Sequence, residues 1–172
     1  AGHLLGLGQI YAWKKNFEKA RACFESALRL GRSVGSQSTE VVALGHLGDT
    51  YFALGMATQA QLFLENAIEL GDRCYPAPAA IFRGSLACIK AQEKDFETAR
   101  SLLQVADEQT AGYEQDRARI LCKRGLVECL ADNHSAAQRA LADARAISDI
   151  LGPARGAQLS SDLDELAARL SG

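Results

Sequence analysis

The sequence lacks the features of a membrane protein or a nucleic-acid-binding protein. It has no run of 18 apolar residues and no signal-peptide layout. It also has no surplus of positive charge, because 19 Lys and Arg residues face 21 Asp and Glu residues, for a formal net charge of -2. Phosphate binding needs an excess of Lys and Arg on one face of a protein. We therefore expect no membrane partner and no nucleic-acid partner.

Motifs of catalysis and metal binding are also scarce. The HExxH, CxxC and Gly-rich phosphate-loop patterns do not occur, and the three histidines, His3, His46 and His134, are far apart in the sequence. The five cysteines are odd in number and resemble the half-buried thiols of a reducing cytosol. A carboxylate cluster near Asp162 is more typical of an exposed helix than of an acid–base pair. We expect a cytoplasmic protein that is not an enzyme, with no metal and no cofactor.

What the sequence does contain is a repeated set of small residues. The set recurs after intervals of 40, 39 and 38 residues, and the spacing within it is the same in every copy. Its members are Gly8, Ala20 and Ala27, then Gly48, Ala60 and Ala67, then Ala87, Ala99 and Ala106, then Gly125, Ala137 and Ala144. Self-similarity at such a period indicates a stacked repeat protein.

Each copy carries two apolar stripes at helical spacing. In the first copy, one stripe contains Leu4, Leu7 and Tyr11, and the second contains Phe24 between its two alanines. The small residues allow two helices to approach closely. Each copy is therefore predicted to be a helical hairpin that buries its apolar face only by stacking on a neighbour.

These residues resemble the tetratricopeptide repeat over residues 1 to about 150. The first two copies fit its signature best, whereas Lys90 and Glu128 replace Tyr11 and Tyr51, and Arg83 replaces Leu4. The family's period is about 34 residues, so the longer period here is similar to the long-helix variants of kinesin light chains and maltose-regulator-type activators. The resemblance implies an all-α, right-handed α-solenoid of four hairpins and a C-terminal capping helix.

We expect a single domain over residues 1–172, which is a fragment of a longer protein. The predicted repeats cover residues 1–35, 38–74, 77–112 and 114–151, and the capping helix covers 154–170, with Leu159, Leu163, Leu166 and Leu170 on its apolar side. The N-terminal edge around Leu4, Leu5 and Ile10 has no such cap. We expect further repeats or self-association to cover it.

In the resembling family, the first helix of each hairpin lines a concave wall that binds a partner. Carried over to this chain, the wall positions in the first two copies are Leu5, Gln9, Ala12, Trp13, Val42, His46, Asp49, Phe52 and Ala53. Those in the last two are Ile81, Ser85, Cys88, Gln92, Arg119, Cys122, Lys123 and Leu126. Chaperone-binding members have a basic residue at the place of Leu5 and Asn at the place of Gln9, so capture of an acidic chaperone tail is disfavoured.

The resemblance implies a protein–protein interaction scaffold whose groove binds a peptide or a partner helix. Trp13 and Phe52 are its candidate anchors, and the sequence leaves open whether they belong to the groove or to the core. The alternative is a ligand- or partner-sensing segment of a multidomain bacterial signalling or transcription-regulatory protein. An enclosed pocket with convergent polar groups would favour that alternative.

Overall fold

A computed structural model describes residues 1–171, with the side chains of 153–158 excepted, and Gly172, the last residue of the predicted domain, lies outside it. All regular secondary structure in the described residues is helical, as predicted. The nine helices found there are α1 Gly2–Trp13, α2 Phe17–Ser33, α3 Gln37–Ala53, α4 Ala57–Cys74, α5 Pro76–Gln92, α6 Phe96–Gln109, α7 Glu114–Leu130, α8 His134–Leu151 and α9 Pro153–Ser171.

The internal contacts of the chain cluster into two units. Unit 1 is Ala1–Phe82 and unit 2 begins at Arg83, so the division falls inside α5. In unit 1, α1 packs on α2, α2 on α3, and α3 on α4, and α1 also contacts α3. In unit 2, α6 packs on α7 and α7 on α8, and α9 covers both α7 and α8. Each unit is described by itself below.

The turns inside the four hairpins share one backbone geometry. Each contains a residue in the left-handed region, namely Lys15, Gly55, Lys94 and Asp132, with φ between 56° and 77°. In each turn a backbone N–H donates to the carbonyl five residues earlier, as in Asn16 N–H to Tyr11 O at 2.8 Å. This is the Schellman arrangement that ends a helix. Only one of the four turns uses the glycine that normally signals it.

Side-chain caps start most of the second helices. Asn16, Asp95 and Asn133 each accept a hydrogen bond from the backbone N–H three residues later, whereas Met56 makes no such bond. The connection between the first two hairpins is short, and the second hairpin begins one residue before its predicted start at 38. Ser36 caps α3 by accepting from the Thr39 N–H, so Gln37 and Ser38 already belong to the helix.

Small residues in unit 1 lie where helices meet. A Cβ placed on Gly8 would lie 2.5 Å from the Phe24 ring, and one on Gly48 would lie 2.5 Å from Leu64 Cγ. At the junction of α4 and α5, a Cβ on Gly71 would lie 2.7 Å from Ala79 Cβ. The recurring alanines of α2 and α4 are fully buried. Because these contacts leave no room for a methyl group, the recurring small residues are required by packing.

Unit 2 ends in a core that α9 completes. Leu159 and Leu166 of α9 are fully buried. Leu159 belongs to a cluster with Ala118, Leu121, Cys122 and Ala144, and Leu163 packs against that cluster. Gly125, which corresponds to Gly8 and Gly48, has no room for a Cβ because Leu166 lies against it. The helix predicted to cap the last hairpin therefore packs directly on it.

Ionic contacts join α6 to α7. Arg100 donates to both carboxylate oxygens of Glu128 at 2.8 Å, and the Asn133 amide donates to Glu128 at 3.0 Å. Asp107 lies 3.5 Å from Arg117 and 3.6 Å from Arg124. Glu128 holds the position of Tyr11 and Tyr51, and its side chain is buried although the side chain of Arg100 is half exposed. A bidentate pair replaces an aromatic side chain at this junction.

The first prediction concerns Gly48→Ala. The added methyl group would overlap Leu64 and approach the Ala60 carbonyl oxygen to 3.1 Å. We expect a net loss of about 1–2 kcal/mol of unfolding free energy in urea titrations, since overpacking exceeds the gain in helix propensity. The control is Gly6→Ala on α1, where a Cβ meets nothing within 4 Å. It should gain about 0.5–1 kcal/mol. Equal effects at the two sites would contradict the packing described.

The second prediction concerns Glu128→Gln. Hydrogen bonding from Arg100, more than any other contact, lowers the pKa of Glu128. A lowered pKa in the folded state stabilises the fold above the unfolded-state value, and this contribution is lost as the pH falls through the folded-state value. The variant should lose about 1–2 kcal/mol of unfolding free energy at pH 7. The deficit should shrink at acidic pH once the wild-type carboxylate is protonated in both states.

Urea titrations at pH 7 and at acidic pH would measure this deficit. Glu69→Gln is the control, because Glu69 pairs with Arg73 on one exposed helix face. It should cost less than about 0.5 kcal/mol at either pH. A Glu128→Gln deficit that stays constant with pH would show that the ion pair does not stabilise the junction.

Candidate functional site

Three of the predicted wall residues meet in unit 1. Because α1 lies beside α3, the Nε2 atom of Gln9 is 2.8 Å from Nε2 of His46. One helical turn further along α3, an Asp49 carboxylate oxygen lies 3.9 Å from Nδ1 of His46. The two helices therefore present an amide, an imidazole and a carboxylate in a row.

Two phenylalanines enclose the His46 ring. The Phe24 ring of α2 stacks on it with centroids 5.0 Å apart, and Phe82 of α5 approaches it edge-on at 5.6 Å. Phe82 reaches this place because it packs over Gly45, where a Cβ would overlap its ring. The His46 side chain keeps about a fifth of its surface exposed. The ring is thus held rigidly while part of it still faces solvent.

The roles of the two side chains in the contact of Gln9 with His46 depend on the tautomer of the imidazole. If the Gln9 amide nitrogen donates to Nε2 of His46, then Nε2 is unprotonated and the proton of the neutral ring is on Nδ1. Nδ1 is the atom that faces the Asp49 carboxylate. In that tautomer the ring accepts from Gln9 at Nε2 and turns its N–H toward Asp49.

Apolar wall positions in unit 1 lie around this row. Trp13 is 77% exposed, which excludes it from the core. Phe52, Leu5 and Val42 are half-buried. Together with the polar row, these residues form a surface that we call the unit 1 wall. It consists of Leu5, Gln9, Trp13, Val42, His46, Asp49 and Phe52.

Three predicted wall residues are buried and cannot touch a partner in this structure. Ile81 and Ser85 of α5 are both less than a tenth exposed, and the Ser85 hydroxyl has no hydrogen-bond partner among the described residues. Cys122 is fully buried because it belongs to the cluster that α9 covers. The prediction of exposed wall positions is wrong for these three. Those positions had been carried over from the resembling family.

The basic wall positions of unit 2 serve intramolecular contacts. Arg119 donates to Asp162 of α9 at 3.3 Å. The Lys123 stem lies against α5, where a Cβ on Gly84 would come within 2.6 Å of Lys123 Cδ. Cys88 remains half-buried. Pairing with α9 makes Arg119 a structural contact.

Sequence reasoning missed Phe24 and Phe82 as neighbours of His46 and Asp162 as the partner of Arg119. Phe24 was assigned only to the core of its own hairpin, yet its ring contacts both Gly8 and His46. One signal was available for Phe82. Gly45 is a helical glycine outside the recurring small positions, and it lies next to His46 in the sequence. Such a glycine indicates a second close approach.

One catalytic-looking sequence has a structural explanation. Gly31-Arg32-Ser33-Val34-Gly35 fits the GxSxG pattern of hydrolase nucleophiles. That motif requires a strand-to-helix turn, whereas Ser33 ends α2 and donates to the Leu30 carbonyl at 2.9 Å. Gly31 packs against Thr39 of α3, and Gly35 takes a φ of 67°. The glycines serve the junction between the first two hairpins.

Two open depressions lie at helix ends in unit 2. One of about 410 Å³ is lined by Gly112, Tyr113, Glu114, Gln115, Asp116 and Leu151. Burial raises the pKa of Asp116 there, although Arg119 opposes the shift. The other, of about 460 Å³, is lined by Ala91, Gln92, Lys94, Phe96, Leu130, Ala131, Asp132 and Arg169. Neither is lined by residues of the unit 1 wall.

Two features are absent from the described residues. His, Cys, Asp and Glu side chains in that part of the chain do not gather in groups of three or more that could hold a metal ion. Among the described helices, none is both long and apolar enough to cross a membrane.

The chain was compared with known protein families and with curated proteins. A family model described as tetratricopeptide repeat matches residues 1–72, which cover the first two hairpins and the whole unit 1 wall. A search of curated proteins finds no match to the chain.

The third prediction concerns Cys122. The pKa of the Cys122 thiol is raised from 9.0 to about 12, mainly by burial and next by the nearby Asp162 carboxylate. At pH 8 its thiolate population should be about a thousandth of that of an ordinary thiol. In native protein treated with iodoacetamide, we expect peptide mapping to find the exposed Cys74 modified and Cys122 intact. Both should react in urea. Equal native rates would show that α9 leaves the face of α7 open.

Proposed function

Since its first two hairpins make this chain a tetratricopeptide repeat protein, we propose that it is an interaction scaffold whose unit 1 wall holds an extended peptide or a partner helix. Tetratricopeptide repeats generally mediate protein–protein interactions. The observation that carries the proposal is the 77% exposure of Trp13, on the same helix that binds His46 through Gln9. Large exposed aromatic side chains beside ordered polar groups are typical of binding hot spots.

The polar row supplies the directional part of recognition. Asp49 accepts hydrogen bonds, while the amide of Gln9 both donates and accepts them. A peptide backbone offers alternating N–H and C=O groups, so it fits such a mixed row better than a highly charged ligand does. Asp49 is the one charged residue of the unit 1 wall. A basic partner side chain at that point is favoured over an acidic one.

Trp13 and Phe52 supply the apolar part. Covering a large aromatic side chain removes apolar surface from water, at roughly 25 cal/mol per Å². Phe24, Phe82 and Gln9 already fix the His46 ring. Little conformational entropy is therefore lost in the wall itself when a partner binds. Shape and a few anchors then determine the affinity.

The sensing alternative rests on a different kind of site. It requires a pocket closed on several sides by convergent polar groups. The two depressions of unit 2 described above are open and lie at helix ends, and the polar row of unit 1 is part of the unit 1 wall. The signalling role, the cytoplasmic location and the parent protein remain predictions from sequence.

The fourth prediction tests the unit 1 wall with its own reporter. Trp13 is the only tryptophan in the chain, so its fluorescence follows the wall directly. Peptides selected from a random library on the folded chain should shift its emission to shorter wavelength on binding. Phe52→Ala should weaken their binding by about tenfold or more, as for a hot-spot truncation. Helicity measured by circular dichroism should change little.

The control variant is Leu62→Ala on α4. Leu62 is also an exposed large apolar residue, but it lies on the second helix of its hairpin, away from the unit 1 wall. Its loss should leave the affinity of the selected peptides unchanged. Equal weakening by both variants, or a Phe52→Ala variant that unfolds in parallel with its loss of binding, would refute the proposed site.

A further inference from the structure

One depression of unit 2 is lined by charges of both signs. It is the depression of about 460 Å³ described above, and we call it the turn depression because the turns of the third and fourth hairpins contribute to it. Lys94 comes from the third turn, Asp132 from the fourth, and Arg169 from the last turn of α9. Lys94 and Asp132 hold the same position in the two turns. The volume of the turn depression is in the range of sites that bind small molecules.

The charged side chains of the turn depression are available to a ligand. Lys94, Asp132 and Arg169 are all exposed. In the part of the chain that the structure describes, no ion pair and no side-chain hydrogen bond engages any of the three. By contrast, Arg119 on the same unit pairs with Asp162. The turn depression therefore presents two positive charges and one negative charge that do not neutralise one another by contact.

Most of the remaining lining is apolar. Leu130 is 38% exposed, Phe96 and Ala131 are half-buried, and Ala91 is buried. An apolar group bound there would remove the surfaces of the Phe96 ring and the Leu130 side chain from water. Apolar surface beside a few charged groups is the usual lining of a small-molecule site.

We propose that the turn depression binds a free α-amino acid with an apolar side chain. The carboxylate of the ligand accepts hydrogen bonds from Arg169 and Lys94, and its ammonium group donates to Asp132. Its side chain covers Phe96 and Leu130. Asp132 repels a phosphate dianion, and the two cations repel a simple amine. The turn depression shares no residue with the unit 1 wall, so the proposal does not depend on peptide binding there.

The test uses the full chain, with phenylalanine as the probe and the backbone amide signals of residues 91–96 and 130–132 as the NMR readout. Exposed ion pairs contribute little each, so we expect a dissociation constant on the order of a millimolar. N-Acetylphenylalanine keeps only the carboxylate and should bind about threefold more weakly. Phenylalaninamide keeps only the ammonium group and should bind about tenfold more weakly, since it meets two cations.

Asp132→Asn gives the sharper result. Asn tolerates the left-handed backbone that residue 132 adopts, with a φ of 56°, so the turn should keep its conformation. Because the variant cannot pair with the ammonium group, it should bind phenylalanine and N-acetylphenylalanine equally well. Arg169→Gln should weaken the binding of both by about threefold. The matched control is Arg145→Gln, which changes an exposed arginine of α8 outside the turn depression and should alter neither affinity.

Three outcomes would overturn the proposal. Unchanged amide signals with phenylalanine at about ten times the expected dissociation constant would show that the turn depression is not a site for it. Equal affinities of the wild type for phenylalanine and both analogues would show that the charges do not select the ligand. Equal weakening by Arg145→Gln and Arg169→Gln would show that the ligand responds to the net charge of the chain and not to this depression.

Discussion

Close approach of helices at glycine and alanine is the constraint on which the rest of unit 1 depends. Gly8 admits the Phe24 ring and Gly48 admits Leu64, so each hairpin closes over a large side chain from its second helix. The same Phe24 ring then reaches through to stack on His46. One packing event therefore both closes the first hairpin and orients the central group of the unit 1 wall.

The turn backbone explains how the later copies stay folded while their signature residues change. In all four hairpins the carbonyl at the position of Tyr11 accepts the hydrogen bond that ends the first helix, whether its side chain is Tyr, Lys or Glu. The backbone requirement is indifferent to the side chain. That position can consequently make different contacts. In copy one the Lys19 ammonium lies over the Tyr11 ring, and in copy four Glu128 pairs with Arg100.

Local signals made the helices predictable from sequence, and long-range packing made the site less so. The bounds of α2, α6 and α8 and the caps at Asn16, Asp95 and Asn133 follow from short-range chemistry. The contact of Gln9 with His46 joins positions of α1 and α3 that are not equivalent, because the counterpart of Gln9 in the second copy is Asp49. Burial of Cys122 was not predictable, because it depends on how α9 packs, which no pattern within α7 encodes.

The cap helix gives the two units different chemistry at equivalent positions. Gln9 and Asp49 hold the position that Leu126 holds on α7. In unit 1 these two residues belong to the exposed wall. In unit 2, α9 lies on α7, and Asp162 of α9 binds Arg119. A helix that closes the last hairpin must bury apolar surface of both its helices, and it therefore occupies side chains of the first helix too. Stability at that end is gained from residues that would otherwise be available for recognition. This difference favours unit 1 as the part of the chain that binds a partner.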